Sequence, residues 1–483
     1  MGAGPQEDLD GARVVVAGYG MSGRAAEQVL AARGARVVPV DDRSDEVMAT
    51  DELLAGDALA RTDLVVASPG LPPHHPLLVA AGERGVPVWS EVELAWRLRV
   101  PRASGDGPAP WLAITGTNGK TTTTGMLDAI LQAAGRRSAA VGNVGVPITL
   151  MATDPQWDVF AVELGSPQLH FTRSMSAQAA AVLNIAPDHL DWHGSYEAYV
   201  AAKGRVFERA QVACVYNSAD PVTEQLVRDA DVVDGCVAVG FTAGTPLVGQ
   251  VGLVEDVLVD RGFARLRHTH AAELATLADL AATAGPDGSV PRHVVENALA
   301  AAALALAHGV EPVDVRDGLR AFTPAAHRIA VVGSLEGVAF VDDSKATNAH
   351  AAAAALGGFP ERSVVWVAGG DAKGQRFDEL VQARRDRVRA VVLVGVDQEP
   401  MRDALARHAP EIPVSEVEPG ETGTVMTRAV AEAYRVARAS LEQQGGPVTV
   451  LLAPACASWD QFRSYAQRGE EFAAAARALG ATA

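Results

Sequence analysis

Ala113-Ile-Thr-Gly-Thr-Asn-Gly-Lys-Thr121 decides the fold. A short apolar run ends in a glycine loop, and a Lys-Thr pair opens a helical stretch. This is a shortened phosphate loop, because the standard spacing would put its first glycine at Ile114. In such a loop backbone N–H groups wrap phosphate oxygens, Lys120 neutralises them and Thr121 holds a magnesium ion. Farther along, Glu163 ends the strand Val159 to Val162, from where its carboxylate can reach a metal at the loop. Asp188-His189-Leu-Asp191-Trp-His193 follows a second strand, read at Ala180 to Ile185. A cluster of this kind after a strand end in a phosphate-loop domain points to ligand or metal contact.

Upstream, the strand Arg13 to Ala17 runs into Gly18-Tyr-Gly-Met-Ser-Gly23, with helical spacing to Arg33, a second strand at Arg36 to Val40, and Asp41 and Asp42 after it. That pattern matches the dinucleotide fingerprint and predicts a nucleotide-diphosphate site. Pro101 to Pro110 is rich in Pro, Gly and small polar residues and reads as a linker. Downstream, strands and helices alternate to the end. Asp342 to Asn348, Gly369 to Gly374 and Pro454 to Ser458 each follow a strand. The fold class expected is α/β in three domains: a Rossmann-like one over 1–103, a phosphate-loop ATPase-like one over 110–324, and a doubly wound parallel-sheet one over 325–483.

Composition agrees. A chain of 483 residues has room for about three domains. A net charge of -18 argues against nucleic acid as a partner. The longest nearly unbroken apolar run, Ala298 to Ala307, is too short to span a bilayer. Met1 to Asp10 is acidic and shows no signal peptide. Cys214, Cys236 and Cys456 are too scattered for a disulfide framework, so a reducing cytoplasm is expected. Of 41 basic residues only Lys120, Lys203, Lys345 and Lys373 are lysines. Arginine cannot act as a compact amine that titrates near neutrality, so each surviving lysine is a candidate for chemistry. Taken alone, Lys203 within an apolar helical stretch, Ser195 to Arg209, reads as a surface residue that snorkels.

Gly116 to Thr121, Asp188 to Gly194, His327-Arg328, Asp343 to Asn348 and Pro454 to Ser458 together resemble the Mur ligases of peptidoglycan synthesis, from end to end of the chain. The resemblance implies an ATP-dependent amide ligase of cell-wall biogenesis. ATP phosphorylates the carboxylate of UDP-N-acetylmuramoyl-L-alanine to an acyl phosphate, which the amine of D-glutamate attacks. It implies ATP contacts at Gly116, Thr117, Asn118, Gly119, Lys120, Thr121, Thr122, Asn297, Arg328 and Asp343. Two magnesium ions would lie against Thr121, Glu163, His189 and a carbamylated Lys203. The UDP-sugar would touch Gly18, Tyr19, Gly20, Met21, Ser22, Asp41, Asp42, Ser68, Pro69, Gly70, Asn143 and Ser166. Thr347, Lys373, Ser458 and Tyr465 would form the amino-acid pocket. Lys120, Glu163, His189, Lys203 and Lys345 would carry the catalysis.

Four positions depart from the family pattern, one of them Pro167, which stands where the family has an aromatic residue. Gly165 replaces the first of two serines, Val294 replaces an asparagine, and Tyr465 stands where Phe is common. A divergent ligase with another amino acid or acceptor is the alternative they leave open. A nicotinamide-dependent dehydrogenase is the alternative from another enzyme class.

Overall fold

The computed structural model describes residues 9–284, 288–324, 327–420 and 422–482. The acidic opening at 1–8 and the domain start expected at 325 lie outside them. Three sheets carry the chain. The first is parallel, in the order β2-β1-β3-β4, from β1 (Arg13–Ala17), β2 (Arg36–Val40), β3 (Leu64–Ala67) and β4 (Val88–Ser90). Its central strands are runs of Val and Ala buried on both faces, as parallel strands between helices must be.

The second sheet has the order β13-β12-β11-β10-β9-β8-β5-β7-β6. Its strands are β5 (Trp111–Thr115), β6 (Ser138–Gly142), β7 (Val159–Glu163), β8 (Ala179–Val182), β9 (Ala213–Asn217), β10 (Val237–Thr242), β11 (Gln250–Val254), β12 (Val257–Asp260) and β13 (Ala272–Thr276). The β excursion expected within Leu247 to Leu266 is the β11–β12 hairpin. Strand β8 ends at Val182, short of the Ile185 read from the sequence. The apolar run Ala298 to Ala307 lies in the helix Arg292–Ala307, where it is buried core.

The helix expected over Ser195 to Arg209 is shorter. Ser195 caps Tyr196–Gly204 by accepting from the Ala198 N–H, and a 3₁₀ turn, Arg205–Phe207, then tips Val206 and Phe207 into the core. Lys203 does not snorkel: it is 2% exposed.

The third sheet, β14-β15-β19-β16-β17-β18, comprises β14 (Ala330–Leu335), β15 (Val338–Asp342), β16 (Val364–Gly369), β17 (Val388–Val394), β18 (Val414–Glu416) and β19 (Val448–Leu452). It is parallel except for the edge hairpin β14–β15. The chain forms two compact units, Met1–Ala282 with Arg292–Phe322, and Thr283–Pro291 with Thr323–Ala483. The first two sheets share one unit. Among the described residues no helix is long and apolar enough to cross a membrane.

Candidate functional site

Strand β5 is buried throughout and delivers the loop Gly116–Gly119 to the sheet's carboxyl edge. Gly119 has φ +82°, and a Cβ there would lie 2.4 Å from Asn297 Oδ1, so the loop needs glycine on both counts. Asn184 clamps the loop by accepting from the Asn118 N–H at 2.9 Å and donating to the Asn118 carbonyl at 3.1 Å. Thr117 Oγ1 and Tyr199 OH lie 2.7 Å apart. Lys120 Nζ donates to the Gly116 and Thr117 carbonyls, both at 2.9 Å. Thr121 and Thr122 follow on the first turn of the helix Lys120–Ala133.

A second lysine reaches the same carbonyl. Lys203 Nζ donates to the Gly116 carbonyl at 2.7 Å and lies 4.9 Å from the centre of the Tyr199 ring. Burial, and then the Lys120 charge, push its amine well below the usual lysine range, against Asp188 and Glu163. Glu163 ends β7 with its Oε1 accepting from Asn143 Nδ2 at 2.9 Å, while its Oε2 is buried with no partner. The register is tight: Gly142 pairs with Glu163, and a Cβ at Gly142 would stand 2.2 Å from the Glu163 carbonyl oxygen. His189 has φ +52° before the short helix Leu190–His193, half-exposed, with Nε2 3.9 Å from Asp188 Oδ2. Among the described residues no three His, Cys, Asp or Glu side chains converge in a metal-binding group. The orphaned Glu163 oxygen, next to the phosphate-loop strand, is the acidic donor that a cation there would take.

In the first sheet, Asp41 Oδ2 accepts from the Tyr19 N–H at 2.7 Å and Asp42 Oδ1 from the Thr50 N–H at 2.7 Å. Asp41 therefore shapes the loop Gly18 to Ser22, while Asp42 ties the end of β2 to Thr50. Ser68 Oγ donates to the Gly18 carbonyl at 2.8 Å, joining the Ser68-Pro69-Gly70 turn to them. The turn after Glu163 is tied to the first sheet from behind. Gln168 Oε1 accepts from the Gly165 N–H at 2.7 Å, and Gln168 Nε2 donates to Glu91 at 2.8 Å. Burial raises the pKa of Glu91. Ser166 is buried, with Oγ 2.9 Å from His193 Nε2.

In the other unit, strand ends converge around Arg468, a residue the sequence reading passed over. Its guanidinium, 1% exposed, donates to Ser344 Oγ at 3.0 Å, to the Ser344 carbonyl at 2.9 Å, and to the Cys456 and Ala457 carbonyls at 3.2 Å. Burial lowers its pKa to about 10. Burial raises Asp343 to about 8, against the charge of Arg328. Lys345 Nζ sits 4.0 Å from the centre of the Tyr465 ring. The Thr347 N–H donates to the Lys345 carbonyl at 2.8 Å, and Ser458 is buried. Lys373 lies on an exposed loop with φ +48°.

Residues 114–305 match the Mur ligase middle domain, and residues 327–456 match the Mur ligase glutamate ligase domain. A UDP-N-acetylmuramoylalanine–D-glutamate ligase of Streptomyces coelicolor is 54% identical over 98% of this chain and 99% of its own. The chain belongs to the Mur ligase family. A Thermobifida fusca protein of the same name is 49% identical to this Mur ligase, over 98% of this chain and 99% of its own. The crystal structure of a UDP-N-acetylmuramate–alanine ligase from Thermotoga maritima shares the fold, with TM-score 0.56, 18% identity and coverage of 97% and 99%. A Mycobacterium tuberculosis folylpolyglutamate synthase shares it over 77% of this chain and 91% of that one, with TM-score 0.52 and 17% identity.

Within the Mur ligase, the expected residues Gly116 to Thr122, Asn297 and Lys203 fall around one loop, and Asn143 falls on Glu163. Asn184, Tyr199 and Gln168 hold these loops, and in the other unit Arg468 holds the strand-end loops at Ser344 and Cys456; none of them stood among the expected site residues. Asn184 follows a strand end, and Gln168 follows Glu163 by five residues. Those positions were the available signals. Arg468 had none, because arginine is this chain's ordinary cation.

Proposed function

We propose that this Mur ligase joins D-glutamate to UDP-N-acetylmuramoyl-L-alanine at the expense of ATP, in the cytoplasm. The observation that carries it is the complete phosphate loop, with two lysines on one carbonyl, in a chain similar over its full length to enzymes named for that activity.

A carboxylate is a poor electrophile until one oxygen becomes a leaving group. Its oxygen attacks the γ-phosphorus and ADP departs, leaving an acyl phosphate. The amine of D-glutamate adds to the carbonyl carbon, and the tetrahedral intermediate expels phosphate and loses a proton to give the amide. The phosphate-loop N–H groups and Lys120 hold the charge that gathers on the transferring group. Magnesium, when bound, supplies further neutralisation, with Thr121, Glu163 and His189 to hold it. Asn143 keeps the Glu163 carboxylate turned by occupying its other oxygen. Arg328 and Asp343 would meet ATP, while Thr347, Lys373, Ser458 and Tyr465 would meet the amino acid, with Lys345 beside them.

Lys203 has the neutral-leaning amine that reacts with carbon dioxide to give a carbamate and a proton. That reaction turns a cation beside Lys120 into a second carboxylate for metal. Carbon-13 NMR under labelled carbon dioxide tests this, and a free amine in the magnesium-loaded enzyme refutes it.

Phosphate release with UDP-N-acetylmuramoyl-L-alanine and a panel of amino acids tests the function. D-Glutamate alone should sustain turnover. Preference for another amino acid would make the chain the divergent ligase that Gly165 and Val294 leave open.

A further inference from the structure

The helix Tyr465–Ala478 carries a buried glycine, Gly469, in its second turn. Glycine inside a helix is less stable than alanine, so its surroundings must account for it. A Cβ at Gly469 would stand 2.2 Å from His327 Nδ1 and 2.6 Å from Asp342 Oδ2. The helix forgoes a methyl group so that an imidazole and a carboxylate can lie against its backbone. His327 Nδ1 and Asp342 Oδ2 are themselves 2.6 Å apart. Neither residue stands among the site residues that the family resemblance implies.

The pair closes a junction between two segments. Asp342 ends β15, and its other oxygen, Oδ1, accepts from the Ser344 N–H at 2.9 Å. Both oxygens are engaged within the fold. A carboxylate only accepts, so the proton between the two side chains sits on His327 Nδ1. The His327 carbonyl accepts from the Lys345 N–H at 3.2 Å. The Ile329 N–H donates to Asp343 Oδ1 at 3.3 Å. Segment 327–329 is thus laced to 342–345 on both sides of Arg328. The charge of Arg328 in turn acts on the Asp343 carboxyl and favours its ionised form.

We infer that His327 and Asp342 are positioning residues that hold Arg328 beside Asp343, and so place the two side chains that would meet ATP. This rests on the ATP role proposed above for Arg328 and Asp343. The imidazole acts through Nδ1 and needs no contact with a substrate. Gly469 is the third member of the device, because any side chain there would strike the hydrogen bond itself. Two consequences separate this role from a merely structural one. Only the Nδ1 position of the ring should matter, and a methyl group at 469 should do harm only while the ring is present.

The experiment uses the full chain, with the folding of each variant checked by circular dichroism. Asparagine can place its amide nitrogen where Nδ1 stands, whereas glutamine places it where Nε2 stands. Calorimetric titration with magnesium–ATP should show His327→Asn within about threefold of the wild-type Kd. His327→Gln and His327→Ala should raise that Kd roughly tenfold, the worth of one hydrogen bond to a charged group. The KM for D-glutamate should stay within about twofold in all three. Gly469→Ala should raise the Kd for ATP roughly tenfold by itself and add nothing to His327→Ala. In the His327→Ala background it should also raise the melting temperature, since alanine is then free to strengthen the helix. Nitrogen-15 NMR of histidine-labelled protein should show a protonated Nδ1, its signal assigned by loss in His327→Asn. Loss in His327→Asn with recovery in His327→Gln would move the role to Nε2 and overturn the inference. So would an unprotonated Nδ1, an unchanged Kd for ATP in a folded His327→Ala, additive losses in the double variant, or a KM for D-glutamate that rises more than the Kd for ATP. ATP affinities that shift as expected, without D-glutamate-dependent phosphate release by the wild type, would sink the proposed function and leave the inference standing. Absence of ATP binding by the wild type would overturn the inference.

Discussion

The phosphate loop of the nine-stranded sheet and the strand-end loops of the six-stranded sheet are both rich in small residues, yet cations do opposite jobs in them. At the first, the ammonium groups of Lys120 and Lys203 both rest on the Gly116 carbonyl, Lys120 on the Thr117 carbonyl as well. At the second, the planar fork of Arg468 ties Ser344 to Cys456 and Ala457 through both faces of its geometry. An ammonium makes bonds it can exchange, whereas a guanidinium buried with its fork filled acts as a rivet. The contrast makes a prediction for this strongly arginine-rich chain: arginine builds the frame, and Lys120 and Lys203 stand where a cation must be able to change partner.

The sharpest way to break that contrast is Lys203→Arg. Charge is conserved, so a purely electrostatic role would leave turnover intact. We expect a loss of about 100-fold or more in kcat with the fold preserved, since guanidinium neither fits the Gly116 carbonyl as a point charge nor forms a carbamate. Steady-state phosphate release checks it, and near-normal kcat would erase the distinction.

The converse substitution, Arg468→Lys, should instead cost stability. Three rotatable donors cannot serve the acceptors that the fork serves, and about 3 kcal/mol is expected from the carbonyls left unpaired. Calorimetry should show a melting transition lowered by roughly 6–12 °C if the unit melts by itself. A shift below 2 °C would mean that the fork is not a rivet.

A third test concerns proton linkage. Asp343 has its folded pKa raised from the usual carboxylate value to about 8. The folded chain therefore holds a proton that the unfolded chain releases, so this group's contribution to stability is greatest below pH 4 and is lost as pH rises towards 8. Asp343→Asn should flatten that part of the stability profile in urea titrations of the nucleotide-free protein. An unchanged slope would show that Arg328 keeps the carboxylate charged after all.

The smallest effect is expected at Lys373. Its exposed loop position calls for a few-fold rise in the KM for D-glutamate on Lys373→Ala, about 1 kcal/mol or less. A rise of 100-fold would place Lys373 with the working lysines rather than with surface charge.

The sequence announced what depends on local pattern. The glycines and lysine of the phosphate loop, the strand end at Glu163 and the Ser195 cap are visible because turn, loop and cap chemistry is written in adjacent residues. The β14 edge strand was missed because its pairing with β15 reverses the rule that governs the rest of that sheet. Arg468 and Gln168 escaped for a different reason. Arg468 serves carbonyls of segments distant in sequence, and Gln168 reaches back to Glu91 across 77 positions. Nothing in the identity of an arginine or a glutamine signals that its partner is a distant backbone atom. The burial of Lys203 likewise comes from its reach to the Gly116 carbonyl, 87 positions away, which no periodicity predicts.

Gly142 has a consequence in the language of genetics. Its φ of +100° and the Glu163 carbonyl 2.2 Å from where a Cβ would stand leave no space for any other residue. Asn143, the next residue, holds the carboxylate of Glu163. Every missense change at codon 142 should therefore pry apart β6 and β7 at the rung that carries Glu163. Such alleles should behave as losses of enzyme even in cells that accumulate normal amounts of the protein.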